Sequence, residues 1–256
     1  MKIVVCVKAV PGYVIEPRVS ETGDRVNYKA GSIIMNESDE YALEEALALK
    51  KEFGGEVTVI TAGSLSSQKA LHVGLAKDAD KAVRINTDFI DCGSLAKVLA
   101  ETIKHLGYDL ILTGVESSDN MAAQTGILIA ERLGLPFAYA VTEVKRGESS
   151  GTLTVTKELG GGVKQVLEIT LPALLYIQTG TTLLSYAPFR KVLQAQAKPV
   201  QSIAINELGI NDELKKSPPF RIVDIFPPQR VSNAEIIDGN PSEVASVLIQ
   251  KVREGV

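Results

Sequence analysis

The stretch GVESSDNMAAQTG, Gly114 to Gly126, lies between the apolar run DLILT and the helix-spaced ILIAERLG, and most of its residues are small or polar. A segment of this kind leaves a buried strand and enters a helix, and its glycine-bounded backbone can approach a bound group closely. The start of a helix presents unsatisfied N–H groups and about half a positive charge, so it can hold a phosphate without lysine. Ser118, Gln124 and Thr125 can add hydroxyl or amide hydrogen bonds, whereas Asp119 repels phosphate and suits a ribose hydroxyl or a helix cap. Two further loops, VKAVPGY and TAGSLSS, also follow strand-like runs and feed small or hydroxyl residues toward the same crevice. Strand-edge backbone near Cys6 and Ala62 could read an adenine edge. The alternative without a ligand is that such loops simply close βα connections.

Other chemistries are missing. There is no G-x-x-x-x-G-K-[ST] and no G-x-G-x-x-G, so neither a Walker loop nor an ordinary dinucleotide fingerprint is present. No G-x-S-x-G elbow occurs, and no pair of acids stands out as a glycosidase couple. Two histidines, His72 and His105, and two distant cysteines, Cys6 and Cys92, lack metal-ligand spacing. The cysteines read as small buried hydrophobes in a reducing compartment, and His105 as a charge suited to a helix C-terminus. The sequence offers little catalysis of its own.

The elements that must position these loops alternate over the first 140 residues. KIVVCVKAV is a β-branched run of the kind buried on both faces of a sheet. Residues 11–33 form a polar excursion, a loop or outer hairpin. NESDEYALEEALALKKEFGG predicts a helix, with acids first, lysines late and Gly54 beyond its end. EVTVITAG, KAVRI and DLILTG are further strands; SSQKALHVGLA, SLAKVLAETIKHLG and Met121–Leu133 are further helices. Such alternation implies a parallel sheet with helices on both sides and ligands beyond the carboxyl ends of the strands.

After Pro136 the signals become strands separated by turns, with Gly160 to Gly162 a hairpin turn. Residues 180–235 are poor in periodicity and rich in proline, which suggests an arm packed on another chain. PSEVASVLIQKVREG predicts a final amphipathic helix. The expected division is therefore an α/β nucleotide-binding domain with a β-hairpin extension over 1–180, and an arm over 181–256. Net charge is −4 with a pI near 5.4, which gives no electrostatic hold on nucleic acid or anionic lipid. No apolar run is long enough to span a bilayer, and MKIVVCVKAVPG lacks the marks of a signal peptide, so a cytoplasmic location is expected.

Taken together these loops resemble the β subunit of electron transfer flavoprotein. The family's opening V-x-V-K-x-V is matched by Val5, Val7, Lys8 and Val10, and its M-N-P-F-x-E-x-A-x-E-E-A by Met35 to Ala46. Its A-x-x-x-G-A-D segment appears as AKDAD, its G-x-Q-A-I-D-x-D-x-x-Q-T-G loop as the stretch above, and its P-P-Q-R as Pro227 to Arg230. The resemblance covers essentially the whole chain. It implies a doubly wound, mostly parallel, Rossmann-like sheet with a small β extension and a long C-terminal arm. It implies adenine-nucleotide contacts at Cys6, Asn36, Glu37, Ser38, Asp39, Ala62, Gly114, Glu116, Ser117, Ser118, Asp119, Ala123, Gln124 and Thr125.

In the family this site holds AMP as a structural ligand, while the redox FAD belongs mainly to the α subunit, with Tyr13 matching a tyrosine near its ring. Electron-bifurcating members instead hold a second FAD in the β subunit and oxidise NADH. Met121 stands where an acid is usual, Val115 where Lys or Arg is usual, and QTGI replaces the bifurcating Q-V-G-P; all lean toward AMP. Ser38 replaces a phenylalanine expected near the flavin. The family's recognition loop corresponds to SYAPFRKVLQAQAK, with Tyr186, Phe189, Arg190 and Leu193 as docking residues and Phe189 in place of the common leucine. The implied partners are the α subunit and an acyl-CoA dehydrogenase or similar flavoenzyme, with a membrane reached only through an acceptor. An adenine-nucleotide-hydrolysing or adenylating α/β enzyme is the third reading; its S-G-G-x-D-S loop is missing from KAVPGY.

Overall fold

The computed structural model describes residues 1–12, 18–23, 26–27, 33–87, 91–210, 214, 223–227 and 234–255. Tyr13, and Pro228 to Arg230 of the P-P-Q-R match, lie outside the described residues. In chain order the elements are β1 (Lys2–Cys6), β2 (Ala9–Pro11), β3 (Arg18–Val19), β4 (Val26–Asn27), β5 (Ile33–Met35), α1 (Glu37–Phe53) and β6 (Glu56–Gly63). Then come α2 (Gln68–Ala76), β7 (Lys81–Asn86), α3 (Cys92–Leu106), β8 (Leu110–Gly114) and α4 (Thr125–Leu133). The second half holds β9 (Phe137–Arg146), β10 (Thr152–Gly160), β11 (Val163–Thr170), β12 (Ala173–Ile177), α5 (Phe189–Gln196), β13 (Gln201–Ala204) and α6 (Pro241–Glu254).

One sheet runs β11-β10-β9-β12-β8-β1-β6-β7-β13, parallel from β9 to β13 and antiparallel through β9, β10 and β11. The expected doubly wound α/β architecture is present, and the hairpin extension is continuous with the main sheet through β9. The alternation of each strand sorts the core onto two faces. Ile3, Val5, Leu110 and Leu112 pack with Leu43, Ala46 and Leu71 of α1 and α2. Val4, Ile60 and Ile111 pack on the other face with Leu99, Ile103 and Ile129 of α3 and α4.

Helix boundaries follow local chemistry. α1 carries Glu37, Asp39 and Glu40 in its first turn and Lys50 and Lys51 in its last, each complementing the helix dipole. Asp91 caps α3 by accepting from the amides of Gly93 and Ser94, both at 3.0 Å. His105 sits in the last turn of α3, its ring 2.8 Å from the Glu101 carbonyl, in the structural place expected of it. α4 begins at Thr125 rather than Met121, because Met121 (φ 48°) and Ala123 (φ 53°) are left-handed and cannot belong to a right-handed helix.

The chain divides into two compact units, Met1–Arg18 with Asn27–Ile222, and Val19–Val26 with Val223–Val256. The sequence division at 180 assigned α5 and β13 to the arm, but β13 pairs with β7 as a strand of the main sheet and α5 buries Ala195 in the core. β13 is four residues of mixed polarity, too short to leave a periodic signal. In the second unit α6 is capped by Asn240 and Glu243 in a reciprocal box, yet buries none of its residues. Among the described residues no helix is long and apolar enough to cross a membrane.

Leu43, fully buried on α1 between the helix and the sheet, tests this packing. Leu43→Ala is expected to lower unfolding free energy by about 2–5 kcal/mol in urea titrations with an unchanged m value; a loss below about 1 kcal/mol would contradict the packing described.

Candidate functional site

The sheet reverses direction of travel at β1: the chain proceeds to β6 and β7 on one side, then crosses to β8 on the other. The carboxyl ends of β1 and β8 therefore frame a switch-point crevice, the usual place for a ligand in such sheets. Cys6 lies opposite Thr113 and Ile60, so Cys6, the Ala62 end of β6 and Gly114 share one sheet edge. The short pair β2–β5 brings the chain back to this edge, and the Asn36 amide donates to the Lys8 carbonyl at 2.9 Å.

Asn36, Ser38 and Asp39 open α1 directly beneath the loop that follows β8. Asn36 Nδ2 and Ser38 Oγ both donate to the Glu116 carbonyl, at 2.8 and 2.6 Å, and Asn36 Oδ1 accepts from the Ser118 amide at 3.0 Å. The Asp39 carboxylate accepts from the Lys8 amide at 2.7 Å and from the Gly114 amide at 3.1 Å, tying β1 to β8. These three side chains are loop supports, directed at the protein's own backbone. A Cβ on Gly114 would run into Ser38 and Asp39, so only glycine lets α1 approach the end of β8 this closely.

A lysine does enter the loop, which differs from the amide-only cradle expected. Lys8 Nζ lies 2.6 Å from Asp119 Oδ1 and 3.2 Å from Ser117 Oγ. The physical reason is adjacency: β1 and β8 are neighbours, so a side chain just past β1 spans to the loop past β8. Burial opposes it, but Lys8 and the bond from Ser117 hold Asp119 below the usual carboxylate range, so the pair is charged and internally neutral. Asp119 was expected on a ribose hydroxyl or a cap; its oxygen Oδ1 also accepts from the Asn120 amide at 2.8 Å. Gln124 accepts from the Cys92 thiol at 3.0 Å, while Glu37, Glu116 and Ser118 are exposed and Ala62, Ser117, Ala123 and Thr125 are half-buried.

Past the loop, the amides of Thr125 and Gly126 stand at the start of α4, where a helix offers no carbonyl partners. The next amide, of Ile127, donates to the Tyr176 hydroxyl from β12. Thr113 Oγ1 is buried beside Gly126 and has no hydrogen-bond partner among the described residues. A buried orphan hydroxyl costs roughly 1–3 kcal/mol, which is recovered when a ligand supplies the partner. Sequence reading missed Thr113, Lys8 and Tyr176. It also missed Arg84 of β7, whose buried guanidinium donates to the Gly63 carbonyl at 3.0 Å and holds the end of β6. A hydroxyl or a cation inside an otherwise apolar strand was the available signal.

The chemistry of this edge is binding rather than reaction. Burial, with the Asp39 carboxylate, pushes the Cys6 thiol up, so it is no nucleophile. Among the described residues no cluster of three His, Cys, Asp or Glu could hold a metal ion. Donor amides, a lone hydroxyl and a neutralised lysine suit one phosphate and its sugar, and these residues fit an adenylate on that ground. The expected docking residues lie apart from this edge: Tyr186 is 85%, Phe189 70% and Leu193 50% exposed, on and just before α5.

Two outcomes follow. Gly114→Ala is expected to destabilise the protein by about 1–3 kcal/mol through overpacking against Ser38 and Asp39, read as a drop in urea midpoint; an unchanged midpoint would refute the close approach. Burial pushes the Asp39 carboxyl from 3.8 up to about 7 against the pull of its amide partners. A raised folded value means that its stabilising contribution is full below the unfolded 3.8 and disappears as pH rises through about 7. Asp39→Asn should therefore flatten the fall in stability between those limits, measured by denaturation across that range. A variant curve parallel to the wild type would exclude Asp39 as the titrating group.

The comparisons with known proteins bear on the same segments. The sequence model of the electron transfer flavoprotein domain matches residues 29–208. The chain is 33% identical to the electron transfer flavoprotein subunit beta of Methylophilus methylotrophus, over 99% of this chain and 98% of that one. It is 29% identical to the subunit of the same name from Bacillus subtilis, over 94% and 96% of the two chains. It is also 31% identical to Protein FixA of Azorhizobium caulinodans, over 98% and 94%.

Proposed function

The chain belongs to the electron transfer flavoprotein β-subunit family, and on that premise we propose that it holds AMP as a structural ligand and docks to a donor flavoenzyme of the acyl-CoA dehydrogenase type. As an electron-transfer subunit it pairs with an α subunit, which in this reading carries the redox FAD. The observation that carries the nucleotide reading is the orphan hydroxyl of Thr113, buried at the foot of a loop that α1 fixes in place. That hydroxyl and the first-turn amides of Thr125 and Gly126 would hold the phosphate, and backbone near Cys6 and Ala62 the adenine.

AMP suits the loop better than a dinucleotide. Val115 is buried where a basic side chain would otherwise face a second phosphate, and the one lysine present is matched by Asp119. A bound FAD supplies reversible electron uptake and release. This chain's part is to bind, orient and present. The exposed patch of Tyr186, Phe189 and Leu193 supports the docking role, since aromatic anchors dominate short-lived interfaces. α6 leaves Val247, Leu248, Ile249 and Val252 exposed, an apolar stripe that suits burial against the α subunit.

Mass spectrometry of nucleotides released from the purified αβ complex should find one FAD and one AMP per heterodimer. Two FAD would replace this reading by that of a bifurcating subunit, and neither nucleotide in this chain would end both. Phe189→Ala should raise the apparent KM of a purified acyl-CoA dehydrogenase for the heterodimer by at least about tenfold; an unchanged KM would remove Phe189 from the interface.

A further inference from the structure

The apolar patch on α5 is exposed, yet the segment that bears it is fastened from beneath. Glu44, in the middle of α1, has one carboxylate oxygen that accepts from the Ser185 amide at 2.9 Å, the Ser185 hydroxyl at 2.6 Å and Lys77 Nζ at 2.9 Å. Lys77 itself is buried and also reaches Glu40 of α1 at 3.1 Å. Further along, Lys191 pairs with Asp78 at 2.7 Å, Lys198 Nζ donates to the Leu75 carbonyl at 3.1 Å, and Ala195 is fully buried. Residue Ser185 immediately precedes Tyr186, so the Glu44 contact fixes where the exposed segment starts, and the Lys191 and Lys198 contacts fix its course.

We propose that Glu44 is a positioning residue for partner docking: through Ser185 it holds the 186–193 segment in the orientation that presents Phe189 to the donor flavoenzyme. The proposal rests on the docking role given to that segment above. Its physical basis is preorganisation. A segment held before contact does not lose its freedom on contact, so affinity for the partner rises although Glu44 never touches it. Burial opposes ionisation, but Ser185 and Lys77 hold Glu44 below the usual carboxylate range, so it is a charged acceptor at neutral pH. Charge-assisted bonds of this kind are about twice as strong as neutral ones. The chain of contacts also places the docking segment and the crevice loop on one helix: residues 36–39 support the loop, and residues 40 and 44 support the segment through Lys77 and Ser185.

The test is steady-state reduction of the intact heterodimer by a purified acyl-CoA dehydrogenase, with Glu44→Gln, Ser185→Ala and Phe189→Ala made singly and Glu44→Gln combined with Phe189→Ala. Glu44→Gln and Ser185→Ala should each raise apparent KM about three- to tenfold with kcat and bound nucleotide unchanged. In the Phe189→Ala background Glu44→Gln should add almost nothing, because the group being positioned is gone. If Phe189→Ala raises KM but neither other variant does, the positioning role is overturned and the docking segment stands. If Phe189→Ala has no effect, the docking reading falls and this proposal with it. A fall in kcat or nucleotide content in step with KM would mark Glu44 as a general structural residue and overturn the proposal. Should Glu44→Gln fail to fold, Ser185→Ala, which leaves the Lys77 pairs intact, decides alone.

Discussion

The carboxylate of Asp39 is the contact on which the rest of the site depends. It is buried, and its two oxygens take the amides of Lys8 and Gly114, which belong to the ends of neighbouring parallel strands. An ionised carboxylate in that position is opposed by its desolvation and supported by its amides, and it shifts upward to about 7 because desolvation wins. With Asn36 and Ser38 beside it, Asp39 makes the start of α1 a fixed floor beneath the loop. Without that floor the left-handed Met121 and Ala123 would relax, since such strain persists only where surrounding structure over-determines it.

What the sequence reveals about this arrangement follows from range. α1, α3 and the buried strands announce themselves through periodicity, caps and late lysines, all features within one turn or one strand of each other. The loop after β8 was legible as a loop by the same logic. Its supports were not. Asn36 and Ser118 are separated by 82 residues, Lys8 and Asp119 by 111, and no local pattern encodes which side chain meets which. Ser38 illustrates the point. As a departure from an aromatic it reads as a lost flavin contact, whereas in the fold its hydroxyl is one of the shortest links to the loop. β13 escaped because four polar-mixed residues at a sheet edge carry no alternation, and α4 began late because backbone handedness at Met121 and Ala123 is invisible in side-chain pattern.

Two kinds of surface coexist on this chain. The crevice edge is polar and its groups are largely satisfied from within, while α5 and α6 carry apolar residues that nothing in their own units covers. A subunit of an electron-transfer heterodimer needs both a rigid scaffold and faces completed by other proteins. Helix α1 serves the first need at one end and, through Glu44, the second along its length.

The pairing of Lys8 with Asp119 has a consequence for how the crevice responds to its surroundings. Sites that attract phosphate through surplus lysine charge weaken steeply as ions accumulate around them, over a Debye length of about 8 Å at physiological ionic strength. Here the ammonium is cancelled in place, 2.6 Å from its counter-charge. What remains to attract an anion is a set of amide dipoles and one hydroxyl, acting over short distances where mobile ions cannot enter. A ligand retained that way would stay through changes of intracellular salt, as befits a piece of architecture rather than a messenger.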